Sequence, residues 1–302
     1  MNMHAKAQIA AFPKGFIDLL SNGAMSLFDW IEMAGTLEAD GLEMYPRFLP
    51  GLTEPFLLEV KAAAERQGLQ IPMMCSSPDF THPDPEFRSN EIEHMKRMIW
   101  AMSVLGPESF RSCRVLSGQR RPEVSREEGI CWTVDAIRNL LLFAEEHRVH
   151  LVMENHYKDG FWTLPEFAQQ SDVFLEIIDQ IDSPWFGVNY DPSNAIVAGE
   201  DPLILLERVK HRIVTMHASD RYVKPEYTLE QLKHHDSVGY SSALLHGVIG
   251  EGLNDYDAIF AGLRSVNFRG WISIEDGVNG LDEMQRSVSF IRRKISEHLV
   301  KE

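Results

Sequence analysis

The sequence predicts an α/β chain closed into a parallel barrel, a single (β/α)8 domain over residues 1–302. Three observations predict it. Short apolar runs alternate with longer helical patterns eight times in 302 residues. No Gly-x-Gly-x-x-Gly opens a helix after the first run, which weakens the alternative of a doubly wound open sheet. No low-complexity tract, linker or close repeat divides the chain, and one barrel is compatible with this length.

The units run as follows. A strand from Ala7 to Phe12 leads to a helix from Ser26 to Leu37, with Ser26 as its N-cap. A strand from Gly41 to Tyr45 precedes a helix from Glu54 to Gln67, closed by Gly68. The third strand, Leu69 to Cys75, is followed by a long helix from Pro85 to Leu105 that Gly106 ends. The fourth, Phe110 to Leu116, pairs with a helix from Arg126 to Arg148. In the second half, residues 150 to 156 form a strand before a helix near Val173 to Ile181. Phe186 to Tyr190 precedes a helix from Pro202 to Lys210. Ile213 to His217 precedes a helix from Tyr256 to Ser265, and Gly270 to Glu275 precedes the last, Leu281 to Leu299.

The seventh unit breaks this rhythm. Residues 218–255 contain Pro225, the adjacent His234 and His235, Gly239 and a Gly-rich end from Gly247 to Gly252. A loop this long is usually a functional lid, and its place after a barrel strand favours one; a surface excursion with a small helix from Leu229 to Lys233 is the bland alternative.

Composition narrows the function. With 44% hydrophobic and 25% charged residues the chain is ordinary for a soluble globular protein. A chain of this length buries roughly 75% of its unfolded surface and needs neither disulfide nor metal merely to fold. The net charge of −16 opposes nucleic acid and anionic membrane surfaces as partners. Cys75, Cys113 and Cys131 show no paired spacing and suit a reducing compartment. The first ten residues lack the apolar core of a signal peptide and no apolar run is long enough to span a bilayer, so a cytoplasmic location is expected.

The chemistry of such a barrel lies at the C-terminal ends of its strands. In the second half those ends carry Glu154, Asp191, His217 and Glu275, in Leu-Val-Met-Glu, Phe-Gly-Val-Asn-Tyr-Asp, Ile-Val-Thr-Met-His and Trp-Ile-Ser-Ile-Glu. Three carboxylates and an imidazole converging there repel one another unless a cation sits between them. Oxygen-rich ligation with one nitrogen suits Mn²⁺ or Mg²⁺, with Co²⁺ or Zn²⁺ as alternatives. Separate salt bridges are the competing explanation. His156 lies two residues beyond Glu154, on the same side of an extended strand, and is a candidate general base. Glu43, Arg47, Lys158, Trp162 and Arg221 follow strand ends and are candidates to bind the substrate. Phe161 and Trp162 offer rings for stacking, and His246 reaches in from the lid. Asp220 is expected to brace Arg221 or a loop amide. No phosphate-cradling Gly-rich loop is evident.

The set Met-Glu-Asn-His, Asn-Tyr-Asp-Pro-Ser-Asn, Met-His-Ala-Ser-Asp-Arg, Gly-Glu-Gly-Leu-Asn-Asp-Tyr and Trp-Ile-Ser-Ile-Glu-Asp-Gly resembles the xylose isomerase-like barrel superfamily of sugar isomerases, ketose 3-epimerases and hydroxypyruvate isomerases. The similarity covers nearly the whole chain and is specific from about Leu151 to Gly277. It implies a (β/α)8 fold with one divalent metal, Mn²⁺ first, held by Glu154, Asp191, His217 and Glu275. In the epimerases the glutamates matching Glu154 and Glu275 also move protons.

Two positions depart from the epimerase pattern: Asn194 stands where many members carry histidine, and His156 where epimerases carry a residue that does not titrate. The Glu-Asn-His arrangement, with Met-His-Ala-Ser-Asp-Arg-Tyr and the long lid, is more similar to C-glycoside deglycosidase α subunits and related 3-keto-sugar β-eliminases, whose histidine matching His156 is the proposed base and among which a small partner subunit occurs. The expectation is a keto-sugar or glycoside substrate cleaved by β-elimination. Alternatives are a ketose epimerase or sugar isomerase working through Glu154 and Glu275, a non-catalytic sugar-binding barrel, and a nuclease of the endonuclease IV type, which the charge and Asn194 oppose. A homo-oligomer is compatible with all of them.

Overall fold

The computed structural model describes residues 6–232 and 242–300. Eight parallel strands form one sheet: β1 (Gln8–Ala11), β2 (Gly41–Leu42), β3 (Met73–Met74), β4 (Ser112–Val115), β5 (His150–Glu154), β6 (Phe186–Tyr190), β7 (Ile213–Ala218) and β10 (Trp271–Ile274). Their order is β2-β1-β10-β7-β6-β5-β4-β3. The two ends of that order meet through isolated parallel bridges, Gly41 to Gln70 and Met44 to Met74, which complete the ring. The fold is the expected (β/α)8 (TIM) barrel, with helices packed around the sheet.

Local chemistry explains where most elements start. Ser26 and Ser125 each close a capping box, with Asp29 and Glu128, at the starts of helices Leu27–Ala34 and Arg126–Glu146. Asp84 and Asp201 cap helices whose first residue is proline, the position where a missing N–H costs nothing. Gly68 follows the helix Glu54–Arg66 with φ of 73°, a left-handed conformation that glycine adopts without strain.

Six strands, β1 to β5 and β10, are shorter than their apolar runs suggest, and at β2, β3 and β5 this bears on the site. β2 ends at Leu42 and β3 spans only Met73 and Met74, because beyond them the chain makes single bridges rather than a ladder. β5 ends at Glu154, so His156 projects from the following turn and not from the strand itself. Asp191 is the N-cap of a short helix, Pro192–Val197, that the apolar pattern did not reveal. The strand ladder slips between Val188 and Asn189, where β6 pairs with β7, directly before that cap; such irregularities re-aim side chains at strand ends.

The long connection after β7 is less irregular than expected. β8 (Asp220–Val223) and β9 (Leu244–Gly247) form an antiparallel hairpin, with a short helix at Leu229–Leu232. Lys233, His234, His235 and Gly239 lie outside the described residues. No helix among the described residues is long and apolar enough to cross a membrane. Cys75 and Cys113 are buried, Cys131 is exposed, and none is in a disulfide.

Candidate metal centre

At the C-terminal end of the sheet the apolar packing gives way to buried charge. Glu43, Arg114, Glu154, Asp191, His217 and Glu275 are all almost fully inaccessible, and charges buried this way must be paired. Glu154, Asp191, His217 and Glu275 come together from the ends of β5, β6, β7 and β10, each offering a donor atom within 4.8 Å of the others.

The imidazole of His217 joins two layers. Its Nδ1 faces Glu154 Oε1 at 3.2 Å and Glu275 Oε2 at 3.7 Å. Its Nε2 faces Glu43 Oε2 at 3.1 Å and Cys75 Sγ at 3.7 Å. Glu43 is therefore placed behind the imidazole, with Oε2 against its ring nitrogen. Asn194 is also turned inward, donating through Nδ2 to Glu154 Oε1 at 3.1 Å.

Each carboxylate is held in its own way. Glu154 Oε2 pairs with Arg114 Nη1 at 2.7 Å, and both side chains are buried. Glu275 Oε1 pairs with Lys14 Nζ at 3.0 Å, leaving Oε2 toward His217. Asp191 has no salt-bridge partner among the described residues; Oδ1 accepts from the backbone N–H groups of Ser193 and Asn194, at 2.8 and 3.1 Å, and from the Ser219 hydroxyl at 3.0 Å. Asn155 ties the two strand ends together, donating to the Asp191 carbonyl at 2.6 Å and accepting from its N–H at 2.9 Å.

Titration follows from these contacts. Burial opposes the Glu154 charge, but His217 and Arg114 outweigh it and hold the carboxyl far below its usual range. Glu275 is likewise held low by Lys14 and His217 against the cost of burial. Burial, with Glu154 and Glu275 nearby, pushes Asp191 up to about 6. Burial would strip the proton from His217, yet Glu154 and Glu43 hold it well above the ordinary imidazole value. Burial and the Glu43 charge push the Cys75 thiol up to about 12, so it stays protonated.

These residues fit a divalent cation. Four carboxylates, Glu43, Glu154, Asp191 and Glu275, face two fixed cations, Arg114 and Lys14. The deficit of two charges is what a divalent ion supplies once His217 is neutral, and three oxygens with one nitrogen suit Mn²⁺ or a similar ion. Among the described residues a further cluster, Asp257, Glu297 and His298, is largely exposed and already engaged by Lys294.

The remaining candidates surround this centre. His156 is buried, its ring stacked on Tyr157 at 5.1 Å between centroids, and its Nδ1 lies 3.8 Å from Glu166 Oε2. Arg221 is buried, donates to Nδ1 of His246 across the hairpin, and stands 5.6 Å from the Tyr157 ring centre. Asp220 accepts from the N–H groups of Gly250, Gly252 and Asn254, which is the bracing role expected of it. Lys158 is half-buried. Trp162, Phe161, Tyr45 and Arg47 bound a cavity of about 370 Å³ beside the centre, connected to it through Ser77 and Arg114. Another cavity, about 530 Å³, lies at the opposite end of the strands against His150, Ile213 and Trp271, away from these groups.

Arg114, Lys14 and Glu166 were not singled out from the sequence. For Arg114 a signal existed: an arginine inside the buried run Ser-Cys-Arg-Val requires an anionic partner. Lys14 and Glu166 lie in connecting segments whose composition carries no such signal.

A family model described as "Xylose isomerase-like TIM barrel" matches residues 28–294. The inosose dehydratase of Bacillus thuringiensis (strain Al Hakam) is 24% identical over 186 residues, covering 58% of this chain and 58% of that protein; the chain thus spans well under two thirds of the curated relative it matches. Among solved structures, a xylose isomerase domain protein from Planctomyces limnophilus superposes with a TM-score of 0.72 at 17% identity, covering 97% and 99% of the two chains. The probable 3-DHS dehydratase AsbF from Bacillus anthracis does so with a TM-score of 0.70 at 17% identity, covering 94% and 98%.

Proposed function

We propose, for a chain that belongs to the xylose isomerase-like TIM barrel family, a metal-dependent lyase that removes the proton beside the carbonyl of a keto-sugar and expels the substituent one carbon further on. The substrate we propose is a 3-oxo-glycoside. The cation is held by Glu154, Asp191, His217 and Glu275, Mn²⁺ being the first choice, and His156 is the base. The single observation carrying this reading is the contrast in commitment: both glutamates of the cluster are paired to fixed cations, whereas His156 is a buried imidazole without a hydrogen bond among the described residues. A relative whose name states a dehydration, the inosose dehydratase, supports an elimination.

His156 takes the C2 proton, made acidic by the ketone at C3. The electron pair passes into the C2–C3 bond and the charge develops on the ketone oxygen. As the carbonyl reforms, a C1–C2 double bond appears and the bond from C1 to the leaving group breaks. When bound, the divalent ion supplies positive charge against the oxygen where that charge develops. Arg114 and Lys14 keep Glu154 and Glu275 ionised, and Glu43 fixes the ring of His217. The hairpin carrying Arg221 and His246 serves as the lid, excluding water and meeting the departing group. Lys158 and Trp162 contact the leaving group from the opposite loop. A small partner subunit belongs to this reading and completes the cover over the mouth.

The test is proton NMR in D₂O with the Mg²⁺-loaded protein, offered a 3-oxo-glucoside and, separately, a free ketose. Release of the leaving group with an unsaturated sugar supports the lyase. Deuterium entering the ketose without cleavage replaces it with an epimerase using Glu154 and Glu275. His156→Ala is expected to retain metal and lose turnover, while Asp191→Ala loses both.

A further inference from the structure

Glu166 is fully buried in the segment that closes the loop following β5. Its N–H donates to the Tyr157 carbonyl at 2.8 Å, so the loop from 157 to 166 returns to its own start. One carboxylate oxygen, Oε1, is consumed by β4's exit: the Ser117 N–H at 2.8 Å, the Ser117 hydroxyl and the Gly118 N–H at 3.4 Å all donate to it. The other, Oε2, is buried without a hydrogen-bond partner. The buried atom it faces, Nδ1 of His156, is in the same condition.

Two orphaned buried polar atoms of complementary type, 3.8 Å apart, are costly unless they become partners. We infer that Glu166 is the positioning residue of His156: it holds the proton on Nδ1, leaves Nε2 as the lone pair facing substrate, and stabilises the ring once Nε2 has taken a proton. The present separation is too long for a hydrogen bond, and such contacts commonly tighten when substrate enters. Tyr157, stacked on the imidazole, limits the approach to motion within the ring plane. The inference rests on the proposed role of His156, but the arrangement is testable without any substrate.

Glu166→Gln gives a sharp test because its amide oxygen can replace Oε1 for the three donors while its NH₂ takes the place of Oε2. That NH₂ donates to Nδ1 and moves the ring proton to Nε2. Nitrogen-15 NMR of the Mg²⁺-loaded protein labelled at histidine reads the tautomer directly. The expected result is Nδ1–H for His156 in the wild type and Nε2–H in E166Q. On a 3-oxo-glucoside kcat should fall by about 100-fold or more, with KM and Mg²⁺ affinity unchanged within about twofold, as befits loss of an orienting carboxylate. Glu166→Asp, which keeps the charge, should retain Nδ1–H and recover part of kcat. A wild type with Nε2–H, or a tautomer that E166Q leaves unchanged, overturns the inference. The wild-type measurement decides it even if E166Q does not fold, and an absence of turnover on keto-sugars counts against the lyase reading alone.

Discussion

Glu43 accepts from Nε2 of His217 at 3.1 Å while Nδ1 of the same ring faces Glu154 at 3.2 Å. The carboxylate thus selects the nitrogen that is left for a cation. Glu43→Gln should weaken Mn²⁺ binding by about 10–100-fold, the usual cost of losing an outer partner of a ligating histidine. Titration of Mn²⁺ followed by electron paramagnetic resonance measures it, and an unchanged affinity would show that the ring is oriented by other contacts.

The same geometry makes binding proton-linked. His217 carries a proton in the metal-free protein because Glu154 and Glu43 outweigh burial, and ligation requires the neutral ring. About one proton per metal should therefore be released near pH 7.5. Asp191, raised to about 6 by burial and the neighbouring glutamates, is protonated below that pH and ionised above it. Affinity should accordingly fall more steeply as pH drops through 6. Calorimetry in buffers of different ionisation enthalpy reads both, and a proton count of zero near pH 7.5 would contradict the charge assignment.

Arg114 and Glu154 form a buried pair at 2.7 Å. Arg114→Met removes the fixed cation facing Glu154 and leaves only the protonated His217 against it, which should cost about 3 kcal/mol in the metal-free protein. With Mn²⁺ bound the loss should be smaller, since the ion opposes the same carboxylate. Urea unfolding with and without Mn²⁺ checks this; equal losses in both would separate Arg114 from the metal centre.

Gly118 has φ of 124°, and a Cβ there would come within 2.4 Å of Thr81 Oγ1 and 2.5 Å of Asp79 Oδ1. Gly118→Ala should destabilise the protein by roughly 1–3 kcal/mol through backbone strain alone, lowering the thermal midpoint. Because Gly118 also donates to Glu166, the variant should reduce turnover more than its stability loss accounts for. A variant as stable as wild type would mean that the turn relaxes freely.

Much of this was legible in the sequence because strand ends announce themselves. Leu-Val-Met-Glu and Ile-Val-Thr-Met-His each place one polar group after an apolar run, and the barrel brings such groups to one end whatever the loops do. The cap role of Asp191 was hidden, since Asp-Pro-Ser-Asn reads equally as a turn or as a helix start. Glu43 was visible as a candidate but its direction was not: one residue beyond a two-residue strand, its aim depends on the bridges to the chain around β3. Lys14 and Glu166 reach their partners across 261 and 10 residues of chain, respectively, through connecting segments with no periodicity to read. Contacts of that kind are set by tertiary closure, not by local pattern.

The join between β2 and β3 consists of isolated bridges, whereas the other neighbouring strands are paired by ladders of two or more residues. It is the seam of the barrel, and Glu43 and Cys75, both against Nε2 of His217, lie just beyond its two strands. The imidazole is therefore a strut from the seam to the opposite wall, and a cation on its far nitrogen tightens the ring where the backbone does least. Local opening should be easiest there in the metal-free protein. Metal occupancy will then register as slowed amide exchange at Glu43 and Met44, while the β4–β5 ladder keeps its own rate.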